Sequence, residues 1–159
     1  MGMIGGGKGA FIGGVHRMAA ALDGKIDLVC GAFSSDPAKS LESGMDLGID
    51  KERIYTSYYE MILTESQLPE NIRMDVVSIV TPNHVHFAPA KMALEHGFHV
   101  VCDKPMTFNL EEAYELRNVV EKSHRIFALT HTYTGYPMVK QAKFMLRNGQ
   151  LGKIRKVVV

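Results

Sequence analysis

The hydrophobic and polar positions alternate between two patterns along the whole chain. Short runs that are apolar on successive residues, such as DVVSIV and HVVC, predict strands at 2–4, 27–33, 53–56, 75–80, 99–102 and 126–131. Such runs are expected of parallel strands that are covered on both faces. Between them, apolar residues recur at helical spacing and predict helices at about 10–22, 37–47, 57–66, 84–97, 110–123 and 137–148.

Several predicted helix ends carry residues that favour a helix boundary. Asp36 is placed to cap one helix, and Asn109 with Glu112 three residues later resembles a capping box. Gly97 and Gly149 fall where a left-handed cap ends a helix. Alternating strands and helices of these lengths predict an α/β fold with a doubly wound parallel sheet, the Rossmann arrangement.

The two ends of the chain depart from this regular pattern. The strand at 2–4 is short for a central strand, and residues 153–159 (KIRKVVV) predict a new strand whose valines have nowhere to be buried. We therefore expect two parts. Residues 1–131 form the dinucleotide-binding Rossmann domain, and residues 132–159 form a linking helix and the first strand of a truncated C-terminal α+β substrate domain.

Composition narrows the class of protein without identifying a function. Eighteen Lys and Arg against seventeen Asp and Glu leave a net charge of +1, so nothing favours a nucleic acid or a membrane surface as partner. No apolar run reaches the roughly 18 residues of a membrane-spanning helix. Cys30 and Cys102 lie in apolar runs, which predicts buried thiols, no metal site and a cytoplasmic location.

A glycine-rich turn follows the first predicted strand and precedes a helix. Its sequence from Gly5 to Ala10, GGGKGA, fits the dinucleotide fingerprint G-x-G-x-x-A. Gly5 permits the tight turn, and Gly7 lets the backbone approach a pyrophosphate. The amides of Ala10, Phe11 and Ile12 are then expected to meet the phosphate charge at the start of the helix.

The end of the second strand is the expected site for the adenosine ribose. The position at which an acidic residue normally holds the ribose hydroxyls is occupied by Ser34. A small hydroxyl there, with Ser35 beside it and Lys39 one helical turn on, leaves room for a 2′-phosphate. Asp36 is also in reach of a ribose hydroxyl, and the serines alternatively only cap the helix. The cofactor is therefore NAD or NADP, undecided at this point.

Two further motifs follow predicted strands, and together with the glycine turn they form a recognisable set. They are T-P-N-H-V-H at 81–86 and D-K-P at 103–105, and N-G-Q-L-G-K-I follows at 148–154. In this order the motifs resemble the Gfo/Idh/MocA family of oxidoreductases, over essentially the whole chain. The family resemblance implies a NAD(P)-dependent dehydrogenase acting on a secondary alcohol of a sugar, a polyol or a related small molecule.

The resemblance also implies roles for individual residues. Lys104 matches the family's conserved lysine near the nicotinamide and a substrate hydroxyl, and is expected to be both the catalytic residue and a cofactor-binding residue. The other cofactor-binding residues implied by the matching motifs are Thr81, Pro82, Asn83, His86, Asp103 and Pro105. For two of them a simpler role is equally open, since Asn83 is placed to cap a helix and His86 to pack within it.

The sequence departs from the family pattern at four points. The glycine loop is about three residues longer before Gly13-Gly14-Val15-His16. Asp103 replaces the usual glutamate, and Tyr133 is followed by Thr134 where many relatives have arginine. No residue matches the family's catalytic Asp and His in the second domain.

Three functions follow from these observations. The chain is the cofactor-binding half of a dehydrogenase that acts as a homo-oligomer when full-length, a nucleotide-binding module without turnover, or a regulatory Rossmann module.

Overall fold

A five-stranded parallel sheet forms the centre of the computed structural model, which describes residues 1–158. The strands are β1 Gly2–Gly5, β2 Cys30–Ala32, β3 Val76–Val80, β4 His99–Cys102 and β5 Phe127–Leu129. Their order across the sheet is β2-β1-β3-β4-β5, and every neighbouring pair is parallel. This confirms the predicted doubly wound fold. The strand order reverses between β1 and β3, and open α/β sheets bind their ligands at such a crevice.

Within residues 1–158, five α-helices lie between the strands and a sixth follows β5, and four of the predicted helix boundaries are confirmed. The helices are α1 Phe11–Ala21, α2 Pro37–Asp46, α3 Tyr58–Gln67, α4 Phe87–Glu95, α5 Leu110–Ser123 and α6 Pro137–Arg147. The Asp36 carboxylate accepts hydrogen bonds from two amides of α2, and the Asn109 side chain accepts one from the Glu112 amide in α5. Gly97 and Gly149 both adopt the left-handed conformation.

The predicted strand at 53–56 is wrong. A short 3-10 turn, Lys51–Arg53, precedes a single parallel bridge between Ile54 and Gly31. The chain then bends at once, because Ser57 caps α3 through the Glu60 amide. Of the strand predicted at 53–56, only Ile54 pairs with the edge of the sheet.

Two further predictions need correction. The helix predicted at 84–97 is a 3-10 turn, Asn83–Val85, followed by α4; Pro89 lacks an amide hydrogen and therefore fits the first turn of a helix that starts at Phe87. The strand predicted at 153–159 is not formed over the described residues 153–158, where no neighbouring strand is available to pair with it. Val159 lies outside the described residues.

Successive strand residues bury their side chains on opposite faces of the sheet, as parallel strands require. Ile4 belongs to the larger core cluster with Val77 and Ile79, whereas Met3 belongs to a smaller cluster with Val80. Cys30 and Cys102 are free, buried thiols, as predicted, and burial raises the pKa of each to about 12. Helix α6 differs from the others, since within the described chain all of its side chains are at least partly exposed.

The buried carboxylate of Glu65 joins α3 to the segment before this helix and to Met74, just before β3. Glu65, 0% exposed, accepts hydrogen bonds from Arg53 at 2.6 and 3.0 Å, from the Tyr55 hydroxyl at 2.9 Å and from the Met74 amide at 2.9 Å. Burial alone would raise the pKa of Glu65, but the hydrogen bonds from Arg53, Met74 and Tyr55 lower it overall. This network fixes the segment after Ile54, which forms one wall of the cleft described below.

We expect Glu65→Gln to destabilise the protein by about 3 kcal/mol or more, because it leaves a hydrogen-bonded, partly buried guanidinium without its anion. Thermal unfolding should show a fall in Tm of about 6 °C or more for a chain of this length. Glu70→Gln is the matched control, since the Glu70 side chain is 91% exposed and touches Arg73 only at 3.4 Å. Equal Tm values for the two variants would contradict the structural role of Glu65.

Candidate cofactor site

A cleft of about 870 Å³ opens at the carboxyl ends of β1, β2 and β3. Its volume is in the range of small-molecule and cofactor sites. The glycine turn (residues 5–10) forms one side, and the opposite side consists of the start of α2 and the segment from Thr56 to Tyr58. The cleft therefore lies at the switch point of the sheet, where the sequence predicted a dinucleotide.

The glycine turn is held against its neighbours by hydrogen bonds from its own backbone amides. The Gly7 amide donates to the Phe33 carbonyl at 3.2 Å, and the Lys8 amide donates to Ser43 Oγ at 3.0 Å. A Cβ atom at Gly7 would stand 2.8 Å from both of those oxygen atoms. A side chain at this position would therefore collide with the wall of the cleft, which explains why the turn requires glycine here.

Helix α1 lies unusually close to the same turn. A Cβ atom on Gly13 would stand only 2.4 Å from the Cα atom of Gly6, and Gly6 itself has a positive φ of 71°. Arg17 adds a hydrogen bond from its guanidinium to the Gly6 carbonyl at 2.8 Å. Ala10 precedes the helix, and no side chain of the described residues caps it. The Ala10 amide, expected to meet a phosphate, instead donates to the Gly7 carbonyl at 2.9 Å. The amides at the start of α1, from Phe11 onward, are available to an anion at the cleft.

The adenosine end of the expected site is formed by the end of β2 and by α2. Ser34 lines the cleft, and its Oγ accepts a hydrogen bond from the Asp36 amide at 3.1 Å. The Asp36 carboxylate is engaged as the cap of α2. Lys39 and Glu42 line the same wall, and Glu42 forms an ion pair with Lys8 at 2.6 Å.

The end of β3 contributes Thr81 and Pro82 to the cleft. The Oγ1 atom of Thr81 is buried and has no hydrogen-bond partner in the described part of the chain. An orphaned polar atom of this kind is costly unless something else satisfies it. The residues present therefore fit a bound dinucleotide in two respects, the glycine cradle and the unsatisfied hydroxyl.

The Asp103-Lys104-Pro105 segment, called the Lys104 turn below, follows β4, the strand next to β3. Lys104 is exposed, and the Lys104–Pro105 peptide bond is cis. Asp103 accepts a hydrogen bond from Thr130 Oγ1 at 2.7 Å, and its amide donates to the Ile79 carbonyl at 3.0 Å. The ring of His16 faces the same carboxylate at 3.8 Å, and burial lowers the pKa of His16 while Asp103 acts in the opposite direction.

The predicted site residues divide into two groups. Those that line the cleft are Gly5, Gly7, Ala10, Ser34, Thr81 and Pro82. The others lie around it: Phe11 is 84% exposed at the start of α1, Ile12 packs against the smaller core cluster, Asn83 is exposed, and Asp103, Lys104 and Pro105 occupy the neighbouring turn.

His86 is completely buried, with Nδ1 2.6 Å from the Pro105 carbonyl and Nε2 2.9 Å from the Thr81 carbonyl. Both of its ring nitrogens therefore already face partners within the protein. This position favours a supporting role over direct contact with a cofactor.

Sequence reasoning missed several residues of the site. Ser43 accepts the Lys8 amide and donates to the Lys39 carbonyl at 2.7 Å, and Gly13 provides the close contact with the glycine turn. One signal was present in the sequence: α2 buries only small residues, Ser40, Ser43 and Gly44, at helical spacing. Such a face allows another backbone to come close.

Comparison with known proteins agrees with this geometry. A family described as an oxidoreductase family with a NAD-binding Rossmann fold, Gfo/Idh/MocA, matches residues 1–131. The chain belongs to this family. Its sheet and glycine turn are thus the NAD-binding Rossmann fold of a Gfo/Idh/MocA oxidoreductase.

Individual relatives support the assignment along almost the whole chain. An uncharacterised oxidoreductase of Bacillus subtilis, YfiI, is 38% identical over 98% of this chain and 39% of its own length. An inositol dehydrogenase homologue from Azotobacter vinelandii, solved in complex with NAD⁺, has 43% identity and a TM-score of 0.91 over 97% of this chain and 39% of that one. The levoglucosan dehydrogenase of Pseudarthrobacter phenanthrenivorans is 27% identical over 97% of this chain and 38% of its own length. The Gfo/Idh/MocA chain described here therefore spans about two fifths of the length of these relatives.

Residues 1–158 contain neither a metal-binding cluster nor a helix able to span a membrane. No group of three His, Cys, Asp or Glu side chains is arranged to hold a metal ion. Among the helices of the same residues, none combines the length and hydrophobicity needed to cross a bilayer.

We expect Gly13→Ala to destabilise the protein by about 2 kcal/mol and to weaken NAD⁺ binding, because its methyl group must push α1 away from the glycine turn. Gly14→Ala is a matched control on the next residue, since its Cβ would meet only the end of the Arg17 side chain at 3.9 Å. That variant should be stabilised by about 0.5–1 kcal/mol, as alanine is favoured over glycine in a helix. Denaturant unfolding and NAD⁺ titration measure both effects; identical results for the two variants would contradict the close contact.

Proposed function

We propose that this chain is the cofactor-binding part of a NAD-dependent dehydrogenase that oxidises a secondary hydroxyl of a sugar, an inositol or a related polyol. The observation that carries the proposal is the juxtaposition of two features. A glycine-lined cleft at the ends of β1 and β3 is followed, on the adjacent strand β4, by a turn that presents Lys104. The named activities and ligands of the relatives support the same class of reaction.

The chain's own residues perform two tasks in the proposed reaction. The glycine turn and the first amides of α1 hold the pyrophosphate, and Thr81 Oγ1 offers a hydrogen bond at the end of β3. Bound NAD⁺ supplies a ring carbon that accepts a hydride from the substrate carbon. The hydroxyl proton passes to a general base of the full-length protein, the role that the family resemblance gives to the catalytic His of the second domain. Lys104 donates a hydrogen bond to the substrate oxygen and stabilises the negative charge that develops as this proton leaves.

The choice between NAD and NADP depends on the wall at the end of β2. Ser34 carries no charge that would repel a 2′-phosphate, and Lys39 is exposed beside it. Glu42, the acidic residue of this wall, is paired with Lys8. These features favour acceptance of NADP as well as NAD. Asp36, two residues after Ser34, is engaged as the cap of α2.

Lys104→Met in the full-length protein should lower kcat by about 10²- to 10⁴-fold, because methionine retains the length of the side chain but donates no hydrogen bond. The Kd for NAD⁺ should change less than about twofold, since Lys104 lies outside the cleft lining. Reduction of NAD⁺ with a panel of sugars and inositols measures the first quantity, and calorimetric titration with NAD⁺ and NADP⁺ separately measures the second.

Lys140→Met is the control, because Lys140 is exposed on α6, away from the cleft. Undiminished turnover in Lys104→Met would remove this residue from the reaction. Nucleotide binding without turnover on any substrate of the panel would favour a binding module, and no binding of either nucleotide would favour a regulatory Rossmann domain.

A further inference from the structure

Two side chains from other parts of the fold contact the residues on either side of Lys104: one reaches the Asp103 side chain and the other the Pro105 backbone. On the amino side, Thr130, just beyond β5, donates a hydrogen bond from Oγ1 to Asp103 Oδ1 at 2.7 Å. This is an O–H···O⁻ contact, which is stronger than a hydrogen bond between neutral groups. The amide of Thr130 also donates to the Cys102 carbonyl at 3.0 Å, so that its hydroxyl is fixed relative to β4.

On the carboxyl side, His86 holds the residue that follows Lys104. Its Nδ1 is 2.6 Å from the Pro105 carbonyl, and its Nε2 is 2.9 Å from the carbonyl of Thr81, which lines the cleft. The side chain is 0% exposed, so water does not compete for these contacts. His86 therefore joins the Lys104 turn to the wall of the cofactor cleft.

A third contact links Asp103 to α1, the helix that follows the glycine turn. His16 of α1 has Nδ1 2.8 Å from Ser78 Oγ in the middle of β3, and its Nε2 faces Asp103 Oδ1 at 3.8 Å. With Nε2 protonated, the ring presents a donor to the carboxylate and accepts from the Ser78 hydroxyl. Asp103 is thus in contact with α1, through His16, as well as with Thr130 just beyond β5.

We propose that Thr130 and His86 are positioning residues that clamp the Lys104 turn from both sides and so fix Lys104 relative to the cofactor cleft. The role of Lys104 in this inference rests on the proposed function, whereas the clamp itself rests on the contacts above. A lysine has four rotatable side-chain bonds, so its ammonium is placed accurately only if its backbone is fixed. Displacement of a catalytic group by about 1 Å costs up to about 10²-fold in rate.

The clamp is tested by Thr130→Val, which preserves the shape of the side chain and removes its hydroxyl. Lys104 and Met106 provide the amide probes, because Pro105 has no amide hydrogen. Their ¹⁵N order parameters should fall from about 0.85 to below about 0.6 in Thr130→Val. Thr130→Ser keeps the hydroxyl and should restore the wild-type values. Unchanged order parameters in Thr130→Val would overturn the clamp.

In either neutral tautomer the His86 ring donates to one of the two carbonyls that it faces. His86→Gln tests the other side, since the single amide nitrogen of glutamine cannot occupy both ring-nitrogen positions at once. The Lys104 and Met106 amides should again become more mobile. His124→Asn is the control, because His124 is exposed at the far end of α5 in a left-handed conformation (φ 53°) that asparagine tolerates. If His86→Gln does not fold, the Thr130 pair still decides the proposal.

The catalytic consequence is measured in the full-length protein. Thr130→Val should lower kcat by about 10- to 100-fold with the Kd for NAD⁺ unchanged, and Thr130→Ser should recover most of the loss. A purely structural role would lower Tm without separating kcat from Kd, and would overturn the positioning role. Absence of NAD⁺ binding to the wild-type chain would refute the proposed function instead, and it would leave the order-parameter comparison intact.

Discussion

The close approach of helix α1 to the glycine turn is the constraint on which the rest of the site depends. Gly6 and Gly13 meet with no room for a Cβ atom on either side. This contact fixes the distance between the first strand and the start of its helix, and so determines where the first amides of α1 point. Amides at the start of a helix, together with the positive end of its dipole, favour a bound phosphate.

The other walls of the cleft are held in place by polar contacts within an apolar core. Ser40 accepts the Phe33 amide and donates to the Tyr55 carbonyl, which joins the end of β2 to the segment after Ile54. Glu65 also fixes that segment by accepting hydrogen bonds from Arg53 and Tyr55. His86 and Thr130 hold the turns that follow β3 and β4. The Rossmann sheet provides the frame, and a few buried hydrogen bonds set the position of each loop on it.

Much of the fold was predictable from the sequence, because its strands and helix ends are specified by residues that lie close together along the chain. Apolar runs marked the five strands, and Asp36, Asn109, Gly97 and Gly149 marked helix ends through contacts with residues close in sequence. The strand at 53–56 was not predictable as a single bridge, since its length is limited by the capping of α3.

The candidate site was predictable in its motifs and less so in its geometry. Gly5, Gly7, Ser34 and Thr81 lie at the ends of strands or within two residues of them, so their place at the cleft follows from topology. The Gly6–Gly13 contact and the burial of His86 depend on how elements pack, which spacing along the chain does not specify. The hydrogen bond from Thr130 to Asp103 likewise joins residues 27 positions apart.

The central claim is that NAD⁺ binds at the glycine turn and the start of α1. Amide ¹H–¹⁵N spectra of the assigned chain, recorded as NAD⁺ is added, test it most directly. We expect the largest shift changes on the amides of residues 5–13 and of Ser34 and Thr81, with α5 and α6 unaffected. Saturating NAD⁺ that leaves the amides of residues 5–13 unshifted, or shifts that concentrate on another surface, would contradict it.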